Sequence, residues 1–399
     1  MNVLFASISP IADAAGHSIS LDLLHEFQKN GHSVYIVCAV EKKAQTETYL
    51  TEEAGCHILR VKIGNNKKAN IIEKGITTVR LPSLYIKAIK QYFADVKFDL
   101  VLYPTPPVTH YETVRFIKKR DGAATYLLLK DIFPQNAVDI GMMQKSGVKG
   151  LLYRYFRKKE KKLYAISDRI GCMSQANVDY VLAHNPEVPA EKVEICPNAI
   201  EIQDMTITDE QRTEIREKYG IPLDKTVFVY GGNLGRPQGI PFIMECLKTQ
   251  VNNPDAYFLL VGDGTEFSKL ETFFCDLHAP NMKLMKRLPK EDYDRMVAAC
   301  DVGLIFLDHR FTIPNFPSRL LAYMQAGLPV LACTDPNTDI GKVITEGGFG
   351  WWCESNDTDA FGKAVATAVQ ADRAGMKDAE MTYLKEHYTS EICYRTIVR

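Results

Sequence analysis

The chain has 399 residues, 46% of them hydrophobic and 24% charged, which is ordinary globular usage and length enough for roughly two domains. A formal net charge of -1 argues against a nucleic-acid binder that neutralises phosphates over its whole surface, so any basic function must be local. The ten cysteines are scattered, with no C-x-x-C pair and no histidine at finger spacing; they read as small buried hydrophobes in a reducing compartment rather than as disulfides or a zinc site.

The opening run Met1 to Ile8 is apolar, lacks a basic leader and meets Ser9-Pro10. No window approaches the ~20 apolar residues of a membrane span. The expectation is a cytosolic protein able to touch a membrane face. Short runs of Val, Ile, Leu and Phe then alternate with longer segments of helical period, the pattern of βαβ units around a parallel sheet. In chain order these are a strand Val3 to Ile8, a helix Ser18 to Asn30, and strands Val34 to Ala39, Asp99 to Tyr103, Thr125 to Leu129 and Arg169 to Met173. The polar stretch Glu201 to Glu217, before Tyr219-Gly220-Ile221-Pro222, reads as a linker near residues 200–222. The same grammar restarts at Thr226 to Tyr230 and continues through Ala256 to Val261, Met282 to Met285, Val302 to Phe306 and Val330 to Cys333. The fold class is therefore α/β, with two facing Rossmann-like, doubly wound parallel-sheet domains over residues 1–200 and 201–375. Residues 376–399 form a helical segment expected to pack back on the first domain.

Open α/β sheets bind ligands at the carboxyl ends of their strands, so the loops there carry the chemistry. The loop Ser9 to Gly16 runs from the first strand to a helix start at Ser18, where free amides suit an anion and Gly16 lets backbone approach closely, though a plain βα turn reads as well; His17 lies next to it. Tyr230-Gly231-Gly232-Asn233-Leu234-Gly235-Arg236-Pro237-Gln238-Gly239 follows a strand and is richer in glycine than a plain turn needs. Its backbone amides and Arg236 suit a diphosphate. Val261-Gly262-Asp263-Gly264 is a strand ending in a glycine-rich turn. Pro317-Ser318-Arg319 opens a helix that stops at Gly327, setting a hydroxyl and a guanidinium where the macrodipole favours an anion. There is no G-x-G-x-x-G after the first strand, which weakens a nicotinamide reading.

Taken in order, Tyr230 to Gly239, Val261 to Gly264, Ala299-Cys300-Asp301-Val302-Gly303-Leu304 and Pro317 to Val330 resemble the donor domain of the family-four retaining GT-B glycosyltransferases. Within that family the chain is most similar to the capsule and O-antigen transferases that use UDP-N-acetylamino sugars. Lys130-Asp131-Ile132-Phe133-Pro134-Gln135-Asn136-Ala137 resembles that subgroup's Asp-Leu-Trp-Pro-Glu-Ser-Ala run, and Cys196-Pro197-Asn198-Ala199 its Pro-Asn-Gly element. The resemblance implies a UDP-sugar donor held by Gly231, Gly232, Asn233, Arg236, Gly262, Asp263, Gly264, Leu288, Pro317, Ser318 and Arg319. Asp131, Arg236 and Arg319 become the catalytic set, and Gly16, His17 and Asp131 the acceptor contacts. It implies reaction between the domains with retention of configuration, the leaving diphosphate taking the acceptor's proton, and no cofactor.

The chain departs from the family at one place. Two glutamates eight positions apart are usual near this helix, one beside the sugar and one on the ribose; here those positions are Pro314 and Ala322. Asp335 is the substitute carboxylate considered. Two D-x-D triplets, Asp292-Tyr293-Asp294 and Asp357-Thr358-Asp359, open helical segments, and N-terminal capping explains them better than a metal does. No metal is expected. Lys149 to Tyr164 carries Lys149, Arg154, Arg157, Lys158, Lys159, Lys161 and Lys162 against Glu160, with Leu152, Phe156 and Leu163 on one face. It reads equally as a solvated helix and as a contact with the anionic inner leaflet. His32 reads as structural. The reading is a transferase moving an N-acetylated amino sugar from UDP to a glycan or polyprenyl-diphosphate-linked acceptor, with no nucleic-acid partner. Its rivals are a silent paralogue and a GT-B nucleotide-sugar epimerase or hydrolase.

Overall fold

Runs of apolar residues buried on both faces become parallel strands, and in the computed structural model they build two separate doubly wound sheets. The structure describes residues 1–65, 71–148 and 150–399, so Lys149 lies outside the described residues. The first unit comprises Met1–Glu201 and Ser390–Arg399, and the second Ile202–Thr389.

The strands of the first unit are β1 (Asn2–Ala6), β2 (Ser33–Glu41), β3 (Tyr49–Glu53), β4 (Cys56–Ile63), β5 (Leu100–Pro104), β6 (Ala124–Leu129), β7 (Arg169–Cys172) and β8 (Val193–Ile195). They lie in the order β3-β4-β2-β1-β5-β6-β7-β8, parallel except for the antiparallel edge strand β3. Helices α1 (Ile19–Lys29), α2 (Ile71–Tyr92), α3 (Tyr111–Asp121), α4 (Gln135–Asp139), α5 (Gly150–Ile166) and α6 (Gln175–His184) connect them. Ser18 caps α1 by accepting the Leu21 amide at 3.2 Å. Val3, Phe5, Leu24, Phe27, Val34 and Ile36 form the core under the sheet centre.

The second unit opens with α7 (Asp209–Tyr219), locked by a Thr208–Gln211 capping box. Strands β9 (Thr226–Asn233), β10 (Ala256–Asp263), β11 (Met282–Lys286), β12 (Val302–Phe306), β13 (Val330–Thr334) and β14 (Gly350–Glu354) lie in the order β11-β10-β9-β12-β13-β14, all parallel. Their helices are α8 (Ile240–Thr249), α9 (Phe267–Leu277), α10 (Lys290–Ala298), α11 (Arg319–Ala326), α12 (Ile340–Glu346), α13 (Thr358–Gln370) and α14 (Arg373–His387). Helix α15 (Ser390–Val398) returns to the first unit, where the Ser390 amide donates to the Ile200 carbonyl at 3.0 Å and Tyr394 packs edge-on against Phe27.

Two expectations are revised, the start of the returning segment and the capping of α10. The returning segment begins at Ser390 rather than 376, because α14 packs on α11 within the second unit. Asp292 and Asp294 do not cap α10: they pair with Lys218 at 3.1 Å and Lys290 at 2.5 Å, while Asp357 does cap α13 through the Ala360 amide at 2.8 Å. All ten cysteines are free thiols, and nine are buried, with Cys275 exposed on α9. No helix among the described residues is long and apolar enough to cross a membrane.

Candidate functional site

In a doubly wound sheet the ligand crevice lies where neighbouring strands send their connections to opposite sides. In the second unit that point is between β9 and β12. Gly232, next to last in β9, has φ of +124°, a conformation that only glycine adopts without strain, and a Cβ there would sit 3.2 Å from Arg319 Nη2. The Arg319 guanidinium lies 4.1 Å from the centroid of the Tyr230 ring, a cation–π contact that fixes it against the strand end. Its Nη1 is buried and has no hydrogen-bond partner among the described residues. A guanidinium so placed is an open anion donor, since an unpaired buried donor costs about 1–3 kcal/mol until something accepts from it.

Two tyrosines pack beneath this strand end, and no local signal marked them. The Tyr323 hydroxyl accepts from the Gly231 amide at 3.2 Å and lies 3.1 Å from the carbonyls of Val229 and Leu304. Burial pushes its hydroxyl up to about 12, so it stays protonated. The Tyr293 hydroxyl fills the space a Cβ on Gly231 would need. Asp308, just past β12, donates its amide to the Pro237 carbonyl at 2.9 Å and so ties the β12 loop to the Arg236 turn. Burial works against its charge, but the Arg310 fork at 2.8 and 2.7 Å outweighs burial and holds the carboxyl below its usual range.

The glycines therefore divide by role. Gly232 faces Arg319, whereas a Cβ on Gly262 would lie 1.9 Å from the Gly232 carbonyl and one on Gly264 2.3 Å from that of Leu234. Those two are required by the close approach of backbone to backbone, not by open space for a phosphate. Gly231 has its amide on Tyr323, which removes it from the free amides expected there. Asn233 Nδ2 donates to Gln238 Oε1 at 2.9 Å, Asp263 is exposed at the end of β10, and Leu288 is half-buried in the turn after β11. Arg236 is 55% exposed, with Nε 3.9 Å from Glu266 Oε1. Ser318 occupies the N-cap of α11 without making a cap bond, and Pro317 precedes it half-buried. Pro314 is buried and Ala322 exposed on α11. Asp335 is withdrawn from solvent just past β13.

In the first unit the corresponding point lies between β1 and β5. The Ser7 to Gly16 loop leaves β1, and Tyr85 donates to the Ser7 carbonyl at 2.7 Å. His17 Nδ1 stands 3.0 Å from Asp22 Oδ1, which also accepts the Ser18 amide at 3.2 Å. Asp22 Oδ2 accepts the Glu201 amide at 3.1 Å, so this buried carboxylate joins the β1 loop, α1 and the end of the unit. Asp22 therefore spends its two oxygens on two backbone amides and the His17 ring, which fixes the orientation of the imidazole. Gly16 packs on Asp13, whose Oδ2 would lie 3.2 Å from a Cβ. No local spacing signals that His17, Asp22 and Glu201 bring ligand-type atoms within 4.8 Å of one another. Lys29 already pairs with Glu201 at 2.5 Å.

Asp131 follows β6, the strand next to β5. Its carboxyl accepts from Asn136 Nδ2 at 2.6 Å, and Thr105 Oγ1 donates to its carbonyl at 3.0 Å. Burial pushes this carboxyl up to about 6. The neighbouring Lys130, hydrogen-bonded to Asn198, is lowered by burial to about 8. His17, Thr105 and Asp131 thus share the carboxyl edge of the first sheet.

Two α/β units, each with its polar residues gathered at a switch point, define the class: a two-domain fold of the GT-B type. Two family models divide the chain between them, Glycosyltransferase Family 4 over residues 19–204 and Glycosyl transferases group 1 over residues 211–382. Probable glycosyltransferase WbjE of Pseudomonas aeruginosa is 26% identical over 333 residues, 83% of this chain and 80% of the relative. WcaI of Escherichia coli, a glycosyl transferase named for colanic acid biosynthesis, is 21% identical over 375 residues, 90% of each. The crystal structure of Anabaena HepE with UDP and glucose superposes with a TM-score of 0.71 at 14% identity, covering 100% of this chain and 98% of that one. Each unit thus matches a glycosyltransferase family model, and the chain is similar along its length to family-four GT-B glycosyltransferases.

Proposed function

We propose that the chain is a retaining glycosyltransferase that moves a sugar, an N-acetylated amino sugar, from a UDP donor to a lipid-linked or glycan acceptor in bacterial surface-polysaccharide synthesis. The observation that carries the donor assignment is Arg319, whose Nη1 is buried without a partner among the described residues while its Nη2 faces Gly232 at the switch point of the second unit. The name of WcaI and the UDP held by HepE support the pathway and the nucleotide. In this reading the bond from the anomeric carbon to the diphosphate breaks and a bond to the acceptor oxygen forms on the same face. The acceptor's proton passes to the departing UDP, so neither a metal nor a separate base is required. The protein's share is positioning, together with stabilisation of the negative charge that grows on the diphosphate, the task given to Arg319 and Arg236. On the first unit, His17 and Asp131 are assigned to the acceptor, which places the reaction at the cytoplasmic membrane face when that acceptor is lipid-linked.

A thermal-shift screen of UDP-, GDP-, ADP- and CMP-sugars tests the assignment, because a ligand that binds only the folded state raises its melting temperature by mass action. UDP-N-acetylamino sugars are expected to give the largest rise. A larger shift with another nucleotide would overturn the donor. Pro314 and Ala322 favour one alternative, a silent paralogue, and a melt unmoved by any nucleotide sugar would select it.

A further inference from the structure

Arg60 is a charged residue in a strand whose side chains are mostly buried. It stands in β4 between Cys38 of β2 and Tyr49 of β3, with a side chain only 7% exposed. A guanidinium in such a place is costly unless each of its five N–H groups finds an acceptor, and here each does. Nη1 donates to Thr51 Oγ1 at 2.6 Å and Glu53 Oε1 at 2.8 Å, and Nη2 to Glu53 Oε2 at 2.9 Å. The remaining two, on Nη2 and Nε, leave the hairpin and meet the Ile11 carbonyl at 3.1 and 3.3 Å, 49 positions back in the chain.

Ile11 lies midway along the Ser7 to Gly16 loop and is held through backbone and side chain alike. Its amide donates to the Cys38 thiol sulfur on β2, and its side chain packs on the core of the first unit. Two further side chains grip the loop toward its ends: Tyr85 donates to the Ser7 carbonyl at 2.7 Å, and His25 Nε2 to that of Ala14 at 2.8 Å. The segment leading to His17 is thereby fixed at three carbonyls, from α2, β4 and α1. Of the three grips, that of Arg60 is the one stability alone does not explain. A buried ion pair is often no more stabilising than an apolar side chain filling the same space. What the apolar side chain could not do is hold the Ile11 carbonyl.

We propose that Arg60 is a positioning residue for the acceptor site: through the Ile11 carbonyl, the edge hairpin of β3 and β4 sets the course of the loop that presents His17. A lysine keeps the charge opposite Glu53 but has no planar fork to span Glu53 and Ile11 together. The effect on turnover rests on the assignment of His17 to the acceptor. The hold on the loop is measured without donor or acceptor, so the two readings fail separately.

Hydrogen–deuterium exchange of the full chain reads the loop directly. Arg60→Met keeps the stem and loses every donor; it should speed exchange of the amides within residues 8–17 by about tenfold or more and lower the melting temperature. Arg60→Lys should recover most of the melting temperature yet leave that exchange as fast as in Arg60→Met. Lys62→Gln, which breaks the exposed pair with Glu47 on the same hairpin, should change neither. Turnover is followed as UDP release from UDP-N-acetylglucosamine, with a synthetic polyprenyl-diphosphate N-acetylamino sugar as acceptor. Both Arg60 variants should raise the acceptor KM several-fold at an unchanged donor KM. Loop exchange equal to wild type in both variants, or restored by lysine together with the melting temperature, overturns the proposal. So does acceleration spread evenly over β1 and β2, which marks general destabilisation, and so does an acceptor KM that stays at its wild-type value. A wild type that releases no UDP with this acceptor removes the acceptor reading and leaves the exchange comparison to decide the hold on the loop. Should Arg60→Met not fold, Arg60→Lys and wild type carry that comparison.

Discussion

At the residue scale, Arg319 decides the donor reading. Its charge is held by packing on Tyr230 and by proximity to Gly232, not by a carboxylate, so it remains available to a ligand's phosphates. Arg236 shares the assignment from a different situation, more than half exposed and within reach of Glu266. Arg319→Ala should weaken UDP binding by about 1.5–3 kcal/mol, the scale of a charge-assisted hydrogen bond, and Arg236→Ala by less because its partner is screened by water. Isothermal titration of UDP into both variants measures this, and affinities equal to wild type would remove both arginines from the site. Arg319 and Gly232 were legible in the sequence because a glycine-rich strand end and a helix start are local signals. Tyr293 and Tyr323 were not, since each reaches Gly231 from a helix that follows a different strand.

At the element scale, the turn after β13 organises the loop that leads to α11. Asp335 Oδ1 accepts the amides of Asn337 at 2.9 Å and Thr338 at 3.3 Å; Asn337 then donates to the Phe311 carbonyl and Thr338 to that of Asn315. Asp335 Oδ2 is buried without a partner among the described residues, and burial raises the carboxyl from 3.8 to about 6. A raised acid binds its proton more tightly in the folded state, so its contribution to stability is fully present below about pH 4 and is lost as pH rises to about 6. That loss is up to about 3 kcal/mol for a shift of this size. Asp335→Asn keeps the turn's acceptor and cannot ionise. Its melting temperature relative to wild type should therefore climb between pH 4 and 6 and level off above. A difference that stays flat across this range would show that Asp335 does not titrate there. Withdrawn from solvent in the folded unit, this carboxylate acts as a brace for the loop, a role its place in the sequence did not show.

At the scale of the whole molecule, the charge on the diphosphate is assigned to Arg319 and Arg236, and of the two D-x-D triplets Asp292 pairs with Lys218, Asp294 with Lys290, and Asp357 caps its own helix. Sugar transfer, followed as UDP release, should therefore continue in EDTA at an undiminished rate. Loss of turnover restored by magnesium or manganese would show a metal-dependent transferase. By itself, the sequence determined two α/β units, the starts of ten strands within a residue, and the loops that carry polar chemistry, but not β3, β4, β8 or β14. Strand burial and helical period are written into runs of five to twelve residues, and turn chemistry into single glycines and prolines. Only the tertiary structure decided that Lys159 and Lys161 of α5 are paired, because their partners Glu112 and Glu187 lie on other elements. It decided equally that His17 meets Asp22 and Glu201, and that α15 rejoins the first unit through Ile200 and Phe27. Such contacts join residues up to several hundred positions apart, and no periodic pattern in one chain encodes which distant side chain completes a buried charge or covers an apolar face.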